Sequence, residues 1–335
     1  KNPTTQICDP AFSSGTRTVQ FTRAYTDPAS GTQSVQVNGT AVTANTDVSL
    51  TFDVNASAPL AVQYADAGLM TLSARYAPTS GLESGLVMTG SDSFVSRPYG
   101  LLLETDTNAA CTAATIGCPV FPGARAGDPF SLRIKAVAWQ SDGEALTAAA
   151  LANNPVTPNF QLSGIALSSQ LLAPAGGSAG SLGAISYAHA LGNQTTVSQS
   201  ISEVGVFSLT ATPTTSYFGT TVSGGTSGNV GRFIPKYLSA AGNASLTPAC
   251  GSAFSYQGQQ MAFAGAQEPS LTLTGRNAQN GVTGNYDRGS FWRLSTPGRD
   301  AYLSVTGRAS LDTLGRLTAS GSAPAVVSGA DDGDG

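Results

Sequence analysis

Charged residues are scarce in this sequence. They make up 11% of the 335 residues, whereas an average soluble domain carries roughly 25%. The Lys and Arg residues form no cluster, so the chain lacks the basic patch that binding to nucleic acid or to an anionic membrane surface requires. No apolar run approaches the roughly 18 to 20 residues that cross a bilayer. We therefore expect no nucleic-acid partner and no membrane insertion.

A secretion signal is also missing, since the N-terminus has no basic stretch followed by an apolar one. Ser, Thr, Gly, Asn and Gln supply most of the polar surface in place of charge, which is typical of extracellular proteins. We expect an exported protein of the cell surface or the periplasm, present as a mature form or as an excised fragment.

Histidine is nearly absent, because His189 is the only one. A Ser-His-Asp or Cys-His mechanism would have to use it, yet no G-x-S-x-G turn or catalytic Cys signature accompanies it. We expect His189 at the surface and the chain not to be an enzyme. A polysaccharide hydrolase with two acidic residues stays open. The candidate pairs are Asp92 with Glu104 and Asp142 with Glu144.

Cysteines number four, and their spacing fits no paired C-x-x-C metal site. Cys111 and Cys118 enclose a loop short enough for a disulfide to close, which predicts a bridge and an oxidising compartment. Cys8 and Cys250 are distant in sequence. Each of them is either free or paired outside this stretch, and a bond between the two also stays open.

Thr and Val are abundant, and apolar residues alternate with small or polar ones between turn signals, as in half-buried strands. This pattern predicts an all-β protein of tandem immunoglobulin-like β-sandwich modules. One short helix is predicted, over residues 144–154. The predicted strands cover residues 18–25, 48–54, 69–76, 130–139, 204–212, 271–276 and 302–306.

A first internal repeat joins an acidic residue to a glycine and a strand. Residues 66–74 and 203–211 share the pattern acid-x-Gly-x-x-polar-Leu-x-Ala. Each copy is followed by an aromatic and proline hinge, at 94–99 and 232–237. We interpret Asp66 and Glu203 as structural: their carboxylates should accept backbone N–H groups at a tight corner where Gly permits positive φ.

A second repeat places a strand before a Thr-x-Asn-aromatic sequence. Strand 131–136 leads to Thr157-Pro158-Asn159-Phe160, and strand 270–275 leads to Thr283-Gly284-Asn285-Tyr286. With boundaries at the proline hinges, the two repeats predict modules 1–98, 99–236 and 237–335. The third module lacks a closing corner, so we expect it to be divergent or incomplete.

Two further motifs are candidate ligand sites. Trp139 and Trp292 could contact a glycan, although a sandwich core also uses large rings at strand positions, and we favour the core. Asp331, Asp332 and Asp334 resemble the beginning of an oxygen-rich calcium loop. Because the later ligands are missing, we favour a solvated segment, and calcium is the one cofactor left open.

Residues 229–237, 254–259 and 276–286, together with 64–68 and 94–99, resemble MshQ-type proteins of mannose-sensitive haemagglutinin pilus loci. The resemblance is to their C-terminal region, a domain of unknown function, and it spans most of the chain. It implies a Gram-negative envelope or surface protein linked to type IV pilus biogenesis, with other domains of that protein or pilus components as partners. It carries no catalytic or binding residue over.

The repeats, the hinges and the composition together predict a structural or adhesive section of a surface protein. A carbohydrate- or protein-binding module is the alternative, and a hydrolase is the third hypothesis.

Overall fold

The computed structural model describes residues 4, 6, 14–81, 83–106, 111–120, 125–242, 246–251, 253–259, 262–263 and 271–291. Within this part of the chain the paired strands are antiparallel, and the structure confirms a mostly-β protein of several sheets. No helix of the described residues is long and apolar enough to span a membrane.

The first module is a sandwich of two sheets. One sheet has the order β4-β1-β6-β7 and the other the order β3-β2-β5. Val19, Phe21 and Leu50 of the first sheet pack against Val37 and Val42 of the second, as expected where strands alternate apolar and polar residues. The strands are β1 (Gly15–Asp27), β2 (Val35–Val37), β3 (Thr40–Val42), β4 (Thr46–Phe52), β5 (Val62–Tyr64), β6 (Gly68–Tyr76) and β7 (Met88–Ser96).

The second module is a larger sandwich. One sheet has the order β12-β9-β8; in the other, β11, β10, β13 and β14 follow one another and β15 also pairs with β13. Leu101 and Ile134 from one sheet meet Ile165, Phe207 and Leu209 from the other. Its elements are β8 (Gly100–Glu104), β9 (Phe130–Val137), α1 (Ala148–Leu151), β10 (Leu162–Ala173), β11 (Ser186–His189), β12 (Thr195–Gln199), β13 (Gly205–Pro213), β14 (Gly225–Thr226) and β15 (Val230–Phe233).

Among its described residues, the third module contains two short strand pairs. Strand β16 (Tyr237–Gly242) pairs with β19 (Leu271–Arg276), and β17 (Leu246–Thr247) pairs with β18 (Ala262–Phe263). A 3-10 turn follows at Gly289–Phe291.

Most of the predicted strands are present, as β1, β4, β6, β9, β13 and β19. The predicted strand 302–306 lies outside the described residues. The predicted helix 144–154 was too long, because only α1 forms. Thr147 bridges to Thr226, and the Glu144 carboxylate accepts a hydrogen bond from the Asn154 side chain at 2.7 Å. These contacts hold the flanking residues in other conformations.

The first two modules share the register of their last strands. In the first, Asp27 lies opposite Leu69 and Gly68 opposite Ser96. In the second, Ala173 lies opposite Val206 and Gly205 opposite Phe233. The long strands β1 and β10 also carry an irregularity just before Asp27 and Ala173, respectively. The acid-x-Gly repeat therefore marks equivalent positions in two similar sandwiches.

Candidate functional site at the joints between modules

The Asp66 carboxylate connects the first module to the second. Its Oδ1 atom accepts two hydrogen bonds, one from the Ala67 N–H at 2.8 Å and one from the Asn159 N–H at 3.0 Å. Asp66 is 1% exposed. We call this contact, between residues 64–68 and residues 157–160, the first joint.

The Asn159 side chain makes a second set of contacts across the first joint. Its Nδ2 donates to the Ser30 carbonyl oxygen at 3.3 Å and to the Tyr64 hydroxyl at 3.2 Å. A single asparagine of the second module therefore bonds to three positions of the first, which fixes the approach of the two modules.

The Glu203 carboxylate connects the second module to the third in the same way. Its Oε1 accepts the N–H groups of Val204 at 2.8 Å and Asn285 at 3.1 Å, and its Oε2 accepts the Gly284 N–H at 3.0 Å. Glu203 is 6% exposed. We call this contact, between residues 203–205 and residues 283–286, the second joint.

The Asn285 side chain repeats the part played by Asn159. Its Nδ2 donates to the carbonyl oxygens of Ser178 at 2.7 Å and Val204 at 2.8 Å, and its Oδ1 accepts the Ser178 N–H at 2.7 Å. The amide thus uses both its donor and its acceptor on the preceding module.

The loops that carry these asparagines are held alike. The Thr157 N–H donates to the Ala136 carbonyl at the end of β9, and the Thr283 N–H donates to the Gly275 carbonyl in β19, both at 2.9 Å. Each loop then places its aromatic residue, Phe160 or Tyr286, in a buried position. The two sequence repeats are therefore the two halves of one contact, a corner (acid-x-Gly) and a docking loop (Thr-x-Asn-aromatic).

Glycine at each corner allows a close approach of backbone. Gly68 has φ of +148° and Gly205 has φ of +144°. A Cβ added at Gly68 would lie 3.0 Å from the Asp27 carbonyl oxygen, and one at Gly205 would lie 2.5 Å from the Ala173 carbonyl oxygen. The structure thus confirms that each corner combines a carboxylate that accepts backbone N–H groups with a glycine of positive φ. The carboxylate also accepts N–H groups of the next module, which the sequence analysis did not predict.

One repeated segment at the joints escaped the sequence analysis. Pro28-Ala29-Ser30-Gly31 and Pro174-Ala175-Gly176-Gly177 follow the strands β1 and β10. A Cβ at Gly31 would lie 2.6 Å from Asn159 Nδ2, and a Cβ at Gly177 would lie 2.4 Å from Asn285 Oδ1. The shared Pro-Ala-x-Gly sequence is the signal that could have identified the surface each asparagine contacts.

Burial changes the titration of both acidic residues. It raises the pKa of the Asp66 carboxyl, and the N–H groups of Asn159 and Ala67 oppose that rise. It also raises the pKa of the Glu203 carboxyl, against three backbone N–H groups. Asp66 Oδ2 has no hydrogen-bond partner among the described residues. The charge of the first joint is therefore less fully compensated than that of the second.

The second joint has an apolar cluster beside it. Cys111 and Cys118 form a disulfide, with 4.5 Å between their Cα atoms, and the bridge packs with Val204 and with Tyr286 and Phe291 of the third module. Lys236 and Asp128 form an ion pair at 2.8 Å nearby. The loop of the disulfide is thus part of the contact with the third module.

Three family models match the chain. Residues 1–91 match the first Ig-like domain of a domain of unknown function, DUF6701; residues 97–200 match its second domain, and residues 203–335 its third. The chain belongs to the DUF6701 family. Searches of curated proteins and of solved structures found no match.

The family models begin their third domain at residue 203, so the DUF6701 third domain includes β13 to β15, of which β13 pairs with β10 of the preceding domain. The module boundaries predicted at residues 98 and 236 stay predictions. Both joints lie within the DUF6701 matches, and neither has been assigned a role by them.

Of the other predicted site residues, the described residues of the DUF6701 chain include only Trp139. Trp139 follows the end of β9 and is 57% exposed, so the prediction that it lies in the core was wrong. Trp292, Asp331, Asp332 and Asp334 lie outside the described residues, as does Cys8. Cys250 is a free cysteine, half-buried. Across the described ranges, no group of three or more His, Cys, Asp or Glu side chains could hold a metal ion.

Three of the four candidate hydrolase carboxylates have local partners. Glu104 forms an ion pair with Lys135 at 2.8 Å, and the Asp92 carboxylate accepts the N–H of its neighbour, Ser93. Glu144 accepts from Asn154, while Asp142 is exposed. His189, expected at the surface, is 3% exposed, so that expectation was wrong.

Proposed function

We propose that this DUF6701 chain is a structural section of a bacterial surface protein, which holds successive β modules in a fixed order and orientation, as in a stalk or head. The observation that carries the proposal is the joint: the same buried corner receives the same docking loop twice. A carboxylate with one or two backbone donors from the next module is directional, because charge-assisted hydrogen bonds are both short and strong. Freely hinged modules have no need of such a contact.

Small-angle X-ray scattering tests this proposal. We expect an elongated particle with a sharply defined maximum dimension, and a broader distribution of dimensions for the double variant Asp66→Ala/Glu203→Ala. Asp92→Ala, which removes an exposed acidic residue of β7, is the matched control and should scatter like the unaltered chain. A compact globule, or scattering that the double variant leaves unchanged, would overturn the proposal.

The resemblance to MshQ-type proteins extends the proposal to a Gram-negative surface protein linked to a type IV pilus. The disulfide is consistent with an oxidising compartment. Antibodies against the chain should label intact cells and should co-precipitate pilus components from detergent extracts. Labelling confined to the cytoplasm of sectioned cells would contradict both the location and the pilus link.

A second candidate function is binding to a glycan or a protein, and one observation favours it. Trp139 exposes 57% of its surface beside the loop that contains Asn154, and exposed large rings commonly anchor ligands. Trp139→Ala should then reduce adhesion of cells that carry the protein. Unchanged adhesion would remove this candidate.

A further inference from the structure

A cavity of about 450 Å³ opens beside the first joint and is formed by both modules. Asp27 and Pro28 of the first module line one side. Gln161, which precedes β10, and Ser163, which lies in it, line another side, together with His189 and the turn at Tyr217 and Phe218. Pockets of about 300 to 1,000 Å³ with a few polar groups are the usual form of small-ligand sites.

Phe218 occupies a strained position at this cavity. It is the first central residue of a two-residue turn, in which the backbones of Tyr217 and Thr220 exchange two hydrogen bonds, and its φ is +48°. Such turns favour Asn followed by Gly, because both central residues need positive φ. A bulky residue in this conformation costs about 1 to 3 kcal/mol, and strained residues of this kind cluster at functional sites.

The first module contains the same turn with the unstrained residue. Asn38 and Gly39 connect β2 to β3 with φ of +49° and +79°, and Phe218 and Gly219 have +48° and +81°. Where the turn faces solvent it uses Asn, and where it lines the cavity it uses Phe. The ring of Phe218 remains 38% exposed and packs edge-on against Tyr217, with 4.6 Å between centroids.

Two buried polar side chains that line the cavity each leave one atom without a partner among the described residues. They are His189 through Nε2 and Tyr217 through its hydroxyl, and the two residues are 3% and 4% exposed. The His189 ring packs against Phe160, the aromatic residue of the docking loop, at 5.3 Å. The cavity wall is thus continuous with the joint.

We propose that this cavity binds one pyranose sugar ring. A pyranose has an apolar C–H face and a rim of hydroxyl groups, and the cavity offers matching groups. The exposed ring of Phe218 can pack on the C–H face, while the Asp27 carboxylate and the Gln161 amide can bond to hydroxyl groups, since each has two polar atoms side by side. The cavity has room for one ring. This inference is independent of the structural function proposed above.

Saturation-transfer NMR on the full chain tests the inference. The probes are the free hexoses glucose, galactose and mannose, N-acetylglucosamine, and the two methyl glycosides of each. We expect at least one probe to bind with a Kd of about 1 mM, the range for a ligand of this size. If the methyl glycoside binds as well as the free sugar, the ligand is a terminal residue of a glycan; if only the free sugar binds, it is a monosaccharide.

The variant Phe218→Asn restores the residue that the Asn38 turn uses. We expect it to weaken binding about tenfold or more while the melting temperature stays the same or rises. Asp27→Asn should weaken binding less. Phe254→Ala, which removes an exposed ring of the third module that packs on Tyr256, is the control and should bind like the unaltered chain. The inference fails if no probe binds, if Phe218→Asn binds normally, or if Phe254→Ala weakens binding equally.

Discussion

The two joints use one geometry, but they differ in how completely the carboxylate is paired. At the second joint Glu203 places both oxygens on backbone N–H groups of the third module. At the first joint Asp66 uses Oδ1 alone, and Oδ2 has no partner among the described residues. The second oxygen of Glu203 is bound by the Gly284 N–H, whereas the equivalent position of the first docking loop is Pro158, which has no N–H to donate. The residue before the asparagine of the docking loop thus decides whether the second carboxylate oxygen finds a donor.

The surroundings of the joints differ as well. The second joint lies beside the disulfide and the aromatic residues Tyr286 and Phe291, whereas the first joint lies beside an open cavity and a buried histidine. We therefore expect the second joint to be the stronger of the two, and the following variants test that ranking.

Removal of the acceptor should have the largest effect. Glu203→Ala leaves three backbone N–H groups without their acceptor and should lower the free energy of unfolding by about 4 kcal/mol. Asp66→Ala leaves two and should cost about 2 kcal/mol. Urea denaturation measures both. Equal costs, or a larger cost for Asp66→Ala, would contradict the ranking of the joints.

Acidification should weaken the region of the first joint through His189. Burial lowers the pKa of His189 from 6.5 to about 4, so its contribution to stability is fully present above pH 6.5 and is lost as the pH falls towards 4. The loss should reach about 3 kcal/mol.

The carboxyls of the two joints act in the opposite direction. Burial raises the pKa of Asp66 and of Glu203, so their contribution is greatest at low pH and is lost as the pH rises.

His189→Gln removes the only histidine and keeps a polar side chain. Between pH 7 and pH 4, the free energy of unfolding of this variant should fall much less than that of the unaltered chain. If both proteins lose stability in parallel, another group controls the acid sensitivity.

Alanine at the corner glycines should produce an intermediate effect. At Gly205 a Cβ meets a carbonyl oxygen at 2.5 Å, and at Gly68 the nearest carbonyl oxygen is 3.0 Å away. Both positions also have positive φ, so we expect a cost of about 2 kcal/mol at Gly205 and about 1 kcal/mol at Gly68. Thermal denaturation checks the order. Gly39→Ala, at a position with open space around it, separates the conformational cost from the steric one.

Amide substitutions should have the smallest effects on the free energy of unfolding, but they should distinguish the two joints most clearly. In Glu203→Gln an amide NH2 must face an N–H group, at Gly284 or at Asn285, which should cost about 1.5 kcal/mol. In Asp66→Asn the NH2 can take the place of the unpaired oxygen, so we expect a change within about 0.5 kcal/mol. A large cost for Asp66→Asn would show that the negative charge itself is required.

The sequence predicted the parts of the joint but not how they pair. The corner and the docking loop were each recognisable, because a repeated pattern in one chain marks repeated structure. Nothing local indicates that the corner at Asp66 meets a loop more than ninety residues later, at Asn159. Such a pairing depends on the folding of both modules. The shared Pro-Ala-x-Gly segment is the one sequence signal that marks the surface each asparagine contacts.

Burial of single residues was harder to predict. Trp139 was expected in the core, yet β9 ends at Val137, before the ring. His189 was expected at the surface, yet it is the last residue of β11 and is packed by Phe160 and Tyr187. In both cases the decisive fact is where a strand ends relative to the other sheet, which periodicity alone does not locate.

The second module carries both halves of the joint, a docking loop at residues 157–160 and a corner at residues 203–205. Its contacts are therefore heterologous, head to tail, and contacts of this type do not limit the number of units in a row. An in-frame duplication of this segment would place the Glu203 corner of one copy against the Asn159 docking loop of the next, and only the Gly284 N–H would lack a counterpart, because Pro158 stands at that position. The number of modules in the row could thus be altered by recombination, with only small changes at each new interface.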